Sequence, residues 1–167
     1  RWMPRNLGED YIMVNIAAFN LNYVWKNESL LNMRVIVGDE THPTPVFTDK
    51  LIYADINPVW NVPRKIVIEE ILPKLAEKPD YLKENGFKIL SDWSKNTSEL
   101  TLEETGWSQE QGKNFPYRLQ QAPGDGNALG RIKFIFPNHF DIYLHDTPAK
   151  GLFRKTQRTF SHGCIRV

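Results

Sequence analysis

Cysteine is almost missing from this chain: Cys164 is the only one in 167 residues. A lone thiol forms no intramolecular disulfide, which excludes a disulfide scaffold and leaves either packing or reactivity as its role. An excess of charge of one sign is missing too, with 21 Lys and Arg against 20 Asp and Glu for a net charge of +1. The cations are scattered, so there is no electrostatic footprint for nucleic acid. Long apolar runs are also absent. The longest, Tyr11 to Leu21, is broken by Asn15 and Asn20 and falls well short of the ~20 residues that span a bilayer. No secretory signal is visible, because Arg1-Trp2-Met3-Pro4 leads straight into polar sequence. With no initiator Met, and a stop three residues after the thiol, the chain reads as an excised piece of a longer protein. One Cys fits either redox compartment.

What remains is ordinary soluble-domain composition: 41% hydrophobic, 25% charged and 12% aromatic. That suffices for one domain, with an insertion, around a sizeable core. β-branched and aromatic runs predict strands at Tyr11–Ile16, Leu21–Trp25, Met33–Val37, Val46–Phe47 and Leu51–Ile56. A turn is expected at Lys26–Ser29 and a proline-containing loop from Asp39 to Pro45. After Asn57-Pro58 the character changes. Pro63 opens a helix that Pro73 must shorten or kink. A second short helix spans Asp80 to Asn85, and Gly86 ends it. Ser91 to Asn114 is polar and loop-like, and the stretch from Trp93 to Asn114 is expected to act as a lid or, equally, to let Trp93 and Trp107 build a small core. Strands return at Arg131–Phe136 and Phe140–His145. The expected architecture is therefore a mainly β domain, residues 1–59 and 119–167, interrupted by a mainly helical insertion at 60–118.

The chemistry points to the last seven residues, Ser161-His162-Gly163-Cys164-Ile165-Arg166-Val167. Cysteine reacts as the thiolate, and a nearby imidazole is the usual device for generating one. Gly163 removes the side chain beside the thiol, which lets a substrate or a tight turn approach. Of the four histidines, His42, His139, His145 and His162, three lie within 26 residues of Cys164. His145 closes a strand before Asp146-Thr147-Pro148, while His162 shares a face with Cys164 in extended chain. On spacing alone either serves as general base. Zinc is disfavoured, because there is no C-x₂-C or H-x₃-H pair. The Gly124–Gly130 stretch precedes a strand rather than a helix, so it reads as a turn and not as a phosphate loop.

Taken together, Ser161-His162-Gly163-Cys164-Ile165-Arg166 and His145, nineteen positions before the thiol, resemble the signature of the L,D-transpeptidase catalytic (YkuD) domain. Further stretches are similar to the long YcbB-type enzymes of Gram-negative bacteria. These are Asn57-Pro58-Val59-Trp60-Asn61-Val62-Pro63, Pro123–Gly130, Phe134–Asn138 and Tyr143–Pro148. The resemblance implies a β catalytic domain with an inserted helical capping subdomain, working in the periplasm on peptidoglycan without a cofactor or metal. It implies a thiol that attacks the third residue of a tetrapeptide stem, a diamino acid, releasing D-Ala. An amine of a second stem then accepts the acyl group to form a 3→3 cross-link. Carbapenem β-lactams are the implied covalent inhibitors.

Carried onto this chain, the resemblance makes Cys164 the nucleophile and His145 the general base and acid. His162 becomes an orienting or structural residue, and the Gly163 and Cys164 N–H groups form an oxyanion hole. Arg166, Ser161 and Tyr143 are assigned to substrate binding. The family's domain continues past this motif, so the piece reads as truncated at its C-terminal end. Two alternatives stay open: an L,D-carboxypeptidase at the same site, and a non-catalytic peptidoglycan-binding module.

Overall fold

The computed structural model describes residues 6–94, 96–108 and 114–167. Residues 1–4, where no signal was read, and part of the expected lid, residues 95 and 109–113, lie outside the described residues. The chain divides into two compact units, Arg1–Ile56 with Ile132–Val167, and Asn57–Arg131.

The first unit opens with an antiparallel meander of β1 (Asp10–Asn15), β2 (Asn20–Trp25) and β3 (Glu28–Arg34). Lys26 and Asn27 both take positive φ, 48° and 65°. This two-residue turn suits the twist of the flanking strands, so β3 starts earlier than Met33. The strand predicted through Val37 instead breaks after Arg34. Val35, Ile36 and Val37 are almost fully buried, and the chain passes into the short β4 (Val37–Gly38), which pairs with β12 (Thr159–Ser161) in parallel.

The sheet that positions the site runs β13–β11–β10–β5, from β5 (Tyr53–Ile56), β10 (Ile132–Ile135), β11 (Leu144–His145) and β13 (Ile165–Arg166). Val46–Phe47, expected as a strand, lies in the loop before β5. β11 is also shorter than the predicted Phe140–His145. Asp141 has φ 56°, and the Asn138 amide ties up the preceding turn by donating to the Phe136 and Ile142 carbonyls at 2.9 and 2.7 Å. Leu144 and Ile165 pack with Leu21, Val35 and Val37 into the unit's core. The second unit is inserted where β5 ends and β10 begins, at the paired residues Ile56 and Ile132.

The second unit combines helices with a four-stranded antiparallel sheet, β6 (Trp60–Asn61), β9 (Arg118–Gln121), β7 (Phe87–Leu90) and β8 (Glu99–Leu100). Composition had suggested helices but not these strands. Its main helix begins after Pro63 as α1 (Arg64–Ile66), widens into a π turn at Val67–Ile71 and continues as α2 (Leu72–Glu77). The π turn ends two residues before Pro73, where the ring offers no N–H and would crowd the carbonyl four residues back, that of Glu69 within the π turn. The expected kink is thus a local widening of the helix. α3 (Tyr81–Glu84) ends at Gly86, which has φ 67°. α4 (Leu102–Thr105) lies in the segment read as loop and is held by a capping box between Thr101 and Glu104. Val67, Ile71, Leu72, Leu75, Ile89, Phe115 and Leu119 form one apolar core, with Trp107 packed against it. Trp93 stays 66% exposed, with the Arg118 guanidinium 4.8 Å from its ring.

Candidate active site

β11 and β13 run parallel, with Leu144 opposite Ile165 and His145 opposite Arg166. Continuing that register by one residue sets Tyr143 beside Cys164, and the Ile165 N–H donates to the Tyr143 carbonyl at 3.1 Å in keeping with it. Paired residues share a sheet face and side chains alternate along a strand. Leu144 and Ile165 therefore face the core, while Tyr143, His145, Cys164 and Arg166 share the opposite face. β10 adds Lys133 to that face, directly across from His145. The rings of Tyr143 and His145 are 5.6 Å apart, and the Lys133 ammonium lies 3.9 Å from the centre of the Tyr143 ring. With strands ~4.8 Å apart and a rise of ~3.3 Å per residue, the Cα atoms of His145 and Cys164 stand ~8 Å apart on a diagonal, within reach of an imidazole and a thiol.

His145 is buried, at 5% exposure, and its Nδ1 is 2.5 Å from the Asp146 carbonyl. A carbonyl only accepts, so Nδ1 carries the proton and Nε2 is left as the basic nitrogen. Burial pulls the imidazole pKa down to about 4, and the positive charges of Arg166 and Lys133 add to that. The Asp146 carbonyl and carboxylate act in the opposite sense without reversing it. The ring is neutral near pH 7. Burial likewise raises the Cys164 thiol above its usual range, outweighing hydrogen bonding from Tyr143 and the charges of Lys133 and Arg166. The Tyr143 phenol is raised as well, by burial first and then by its proximity to Cys164. The resting pair is therefore a neutral thiol and a neutral imidazole. The thiolate that the sequence motif suggested is not formed in advance.

Between β12 and β13 the chain makes a tight turn through His162 and Gly163. Gly163 has φ 105°, and a Cβ there would come within 2.8 Å of Ile142 Cδ1, so both conformation and packing demand glycine. Its N–H was expected in the oxyanion hole. It donates instead to Ser161 Oγ at 3.2 Å, which occupies the donor. Ser161 lies inside the same turn. Assigned to substrate binding, it is 1% exposed, and its hydroxyl donates to the Cys164 carbonyl at 2.5 Å. It braces the turn that carries Cys164 from within. Arg166 sits on the site face while its backbone exchanges hydrogen bonds with Ile36 at 2.9 and 3.0 Å. His162 is exposed, with its ring 4.8 Å from that of His42, and His139 stacks on Phe140 at 3.8 Å. Among the described residues no three His, Cys, Asp or Glu side chains converge to hold a metal.

Three contributors escaped the sequence reading. Thr44, buried in the proline-containing loop, accepts the Gly38 N–H and donates to the Gly163 carbonyl, both at 2.8 Å. One hydroxyl thus ties β4 to the turn that carries Gly163 and Cys164. Asp39 folds that loop by accepting from the Thr41 and His42 N–H groups at 2.9 and 2.7 Å. Its carboxyl is lowered to about 2, chiefly by the Thr41 hydroxyl. Lys133 is the third. No spacing rule links it to Cys164; only strand pairing brings it to the same face.

The chain is similar to known proteins over nearly its whole length. It matches the L,D-transpeptidase catalytic domain (YkuD) over residues 9–167. A Haemophilus influenzae protein assigned, as a candidate, to the L,D-transpeptidases is 40% identical over 156 residues, covering 93% of this chain and 31% of that protein. The chain thus spans about a third of that relative's length. Two solved structures overlie it at low identity. An Ldtfm–avibactam carbamoyl enzyme has a TM-score of 0.49 and 11% identity, covering 96% of this chain and 41% of its own. An L,D-transpeptidase from Mycobacterium smegmatis has a TM-score of 0.48 and 16% identity, covering 95% and 49%.

Proposed function

The chain belongs to the L,D-transpeptidase catalytic domain family, and from that premise we propose that it is a cysteine acyltransferase forming 3→3 cross-links between peptidoglycan stems in the periplasm. The observation that carries this reading is the shared sheet face, which holds Cys164, His145, Tyr143, Arg166 and Lys133 together through the pairing of β10, β11 and β13. Cys164 Sγ attacks the carbonyl of the stem's third residue while His145 Nε2 takes the thiol proton. Because both groups rest neutral, this transfer accompanies the attack. The Cys164 N–H is the turn donor left for the oxyanion, since that of Gly163 is held by Ser161. Such a donor is typically worth about 10²–10³ in rate. The imidazolium returns its proton to the departing D-Ala amine, leaving a thioester. The amine of a second stem then attacks that thioester and loses a proton to His145, the C–S bond breaks, and His145 passes the proton to the expelled Cys164 sulfur to restore the thiol.

Incubation with a carbapenem tests the nucleophile. Intact mass should show one adduct on the unaltered chain and none on Cys164→Ala, and an adduct that persists on the variant would overturn the assignment. Purified tetrapeptide stems then test the reaction. Cross-linked dimers are the expected product, whereas tripeptide alone would make the chain a carboxypeptidase. Thiol reactivity unaltered by His145→Ala would favour a non-catalytic module.

A further inference from the structure

The sheet of the inserted unit has a polar face as well as an apolar one. Leu119 and Ile89, paired across β9 and β7, belong to the apolar core. Side chains alternate along a strand, so Arg118 and Gln120 of β9 and Lys88 of β7 take the opposite face. Register sets Asn61, Gln120 and Lys88 in one rank across β6, β9 and β7. Beside them Trp93 is 66% exposed, whereas Trp60 and Trp107 of the same unit pack against its core. The exposed ring is held in place. The Arg118 guanidinium lies 4.8 Å from its centre, and Asn61 Oδ1 fixes that guanidinium by accepting from its Nε at 3.1 Å and from its Nη2. The same oxygen accepts from Gln120 Nε2 at 3.0 Å. Among the described residues this leaves Asn61 Nδ2, Gln120 Oε1 and Trp93 Nε1 without a hydrogen bond. The charges close on themselves. Lys88 Nζ is 2.6 Å from the Glu99 carboxylate, and the Arg118 charge helps to hold Asp92 ionised, so two cations meet two anions.

We propose that this face binds the glycan strand of peptidoglycan, a chain of acetamido sugars whose carboxylates are spent as amides to the stems. The choice of that polymer rests on the transpeptidase reading above. A sugar ring has an apolar C–H face and a rim of hydroxyl and amide groups. The first stacks on an indole, and the second needs oriented donors and acceptors at its edge. Trp93 supplies the platform. The open atoms of Asn61 and Gln120 supply one donor and one acceptor on the same face. Internally compensated charge suits a neutral chain and gives no pull on a polyanion such as nucleic acid. A free peptide stem carries charged ends, for which this face keeps no uncompensated partner. Because Arg118 and Asn61 hold the ring before anything binds, little further ordering is needed on association.

Calorimetric titration tests this with three probes: a tetramer of N-acetylglucosamine, soluble glycan chains bearing tetrapeptide stems, and free tetrapeptide stems. The tetramer and the stem-bearing chains should both bind the unaltered chain. Trp93→Ala should weaken both by roughly 10-fold through loss of the stacking platform, and Trp93→Phe should recover part of that loss. Gln120→Leu should weaken them less, by roughly 3-fold, the worth of one neutral hydrogen bond. Trp93 is exposed, so truncating it leaves the core packed, and a thermal melt of each variant verifies this. No binding of the tetramer overturns the proposal, as does tetramer binding that Trp93→Ala leaves unaltered. A Trp93→Ala loss confined to free stems also overturns it and makes the face a peptide-docking surface. Acyl-enzyme formation from the stems, followed by mass in the same preparations, judges the transpeptidase reading separately. Its absence with Trp93-dependent tetramer binding intact overturns that reading and supports the glycan site.

Discussion

The two compact units place their polar groups in opposite ways. Among the described residues, the unit at Asn57–Arg131 buries nine apolar side chains in one cluster, while the other unit's cluster has five. Buried polar residues divide the other way. Among the described residues, Thr44, His145, Thr147, Arg158 and Ser161 belong to the site-bearing unit, and only Gln121 and Asn127 to the inserted one. Each buried polar group must be satisfied or it costs stability. The site-bearing unit therefore depends on a hydrogen-bonded frame where the inserted unit depends on packing. Arg158 illustrates the frame, giving its guanidinium to the carbonyls of Val35, Lys155 and Phe19 at 3.1, 2.6 and 3.1 Å. Even the inserted unit's polar pair serves local shape. Asn127 pins the Pro123–Gly130 turn by donating to the Ala122 carbonyl at 2.8 Å and accepting the Leu129 N–H at 2.8 Å.

The contrast breaks first at Leu119, which is fully buried in the inserted unit's core. Leu119→Ala should cost about 2–5 kcal/mol in chemical denaturation through the cavity it leaves. Carbapenem acylation of the folded fraction should keep its rate, because the frame around Cys164 is untouched. Loss of acylation in protein shown to be folded would contradict that separation.

His145 gives the next largest effect. Its pKa falls from 6.5 to about 4 in the folded state. Above pH 6.5 the imidazole is neutral in both states and has no effect. As pH drops from 6.5 to 4 the unfolded chain takes up a proton that the folded chain does not, so stability falls through that window. The loss reaches at most about 3 kcal/mol. Urea melts of the unaltered chain and His145→Gln across this range should diverge by that amount, the variant lacking this part of the decline. Parallel curves would show that the imidazole titrates alike in both states.

Thr44 supplies the smallest effect and the sharpest distinction. Thr44→Val keeps the shape but leaves the Gly38 N–H and the Gly163 carbonyl without their shared partner. A cost of about 1–3 kcal/mol in stability is expected, and on the proposed mechanism kcat should fall more than KM rises, because the turn that carries Cys164 is loosened. An unchanged kcat would make Thr44 structural only.

Much of this was legible along the chain. The strands at Tyr11–Ile16 and Leu21–Trp25, the helix after Pro63 and the stop at Gly86 follow from periodicity, fixed φ and a left-handed cap, all local properties. Thr101 and Glu104 form a capping box at the T-x-x-E spacing, so α4 was readable as well, although the polar surroundings hid it. The strands β7 and β9 were not. Phe87–Leu90 and Arg118–Gln121 are short, and they declare themselves only by pairing with each other across the unit.

The sequence alone determined the reagents: one thiol, a glycine beside it, a histidine at the end of a strand and a serine two residues before that glycine. It could do so because side-chain chemistry and local backbone demands travel with the residue. Tertiary structure decided where each one sits and what surrounds it. Strand register put Lys133 across from His145 and Tyr143 beside Cys164, since a ladder joins residues that no spacing rule connects. Burial fixed the protonation of His145 and Cys164, because the cost of a charge is set by the atoms around it and not by its neighbours in the chain. Closure of the turn onto Ser161 gave the Gly163 N–H a partner within the turn. A backbone donor is free until the folded chain supplies its partner, and here the fold supplied one.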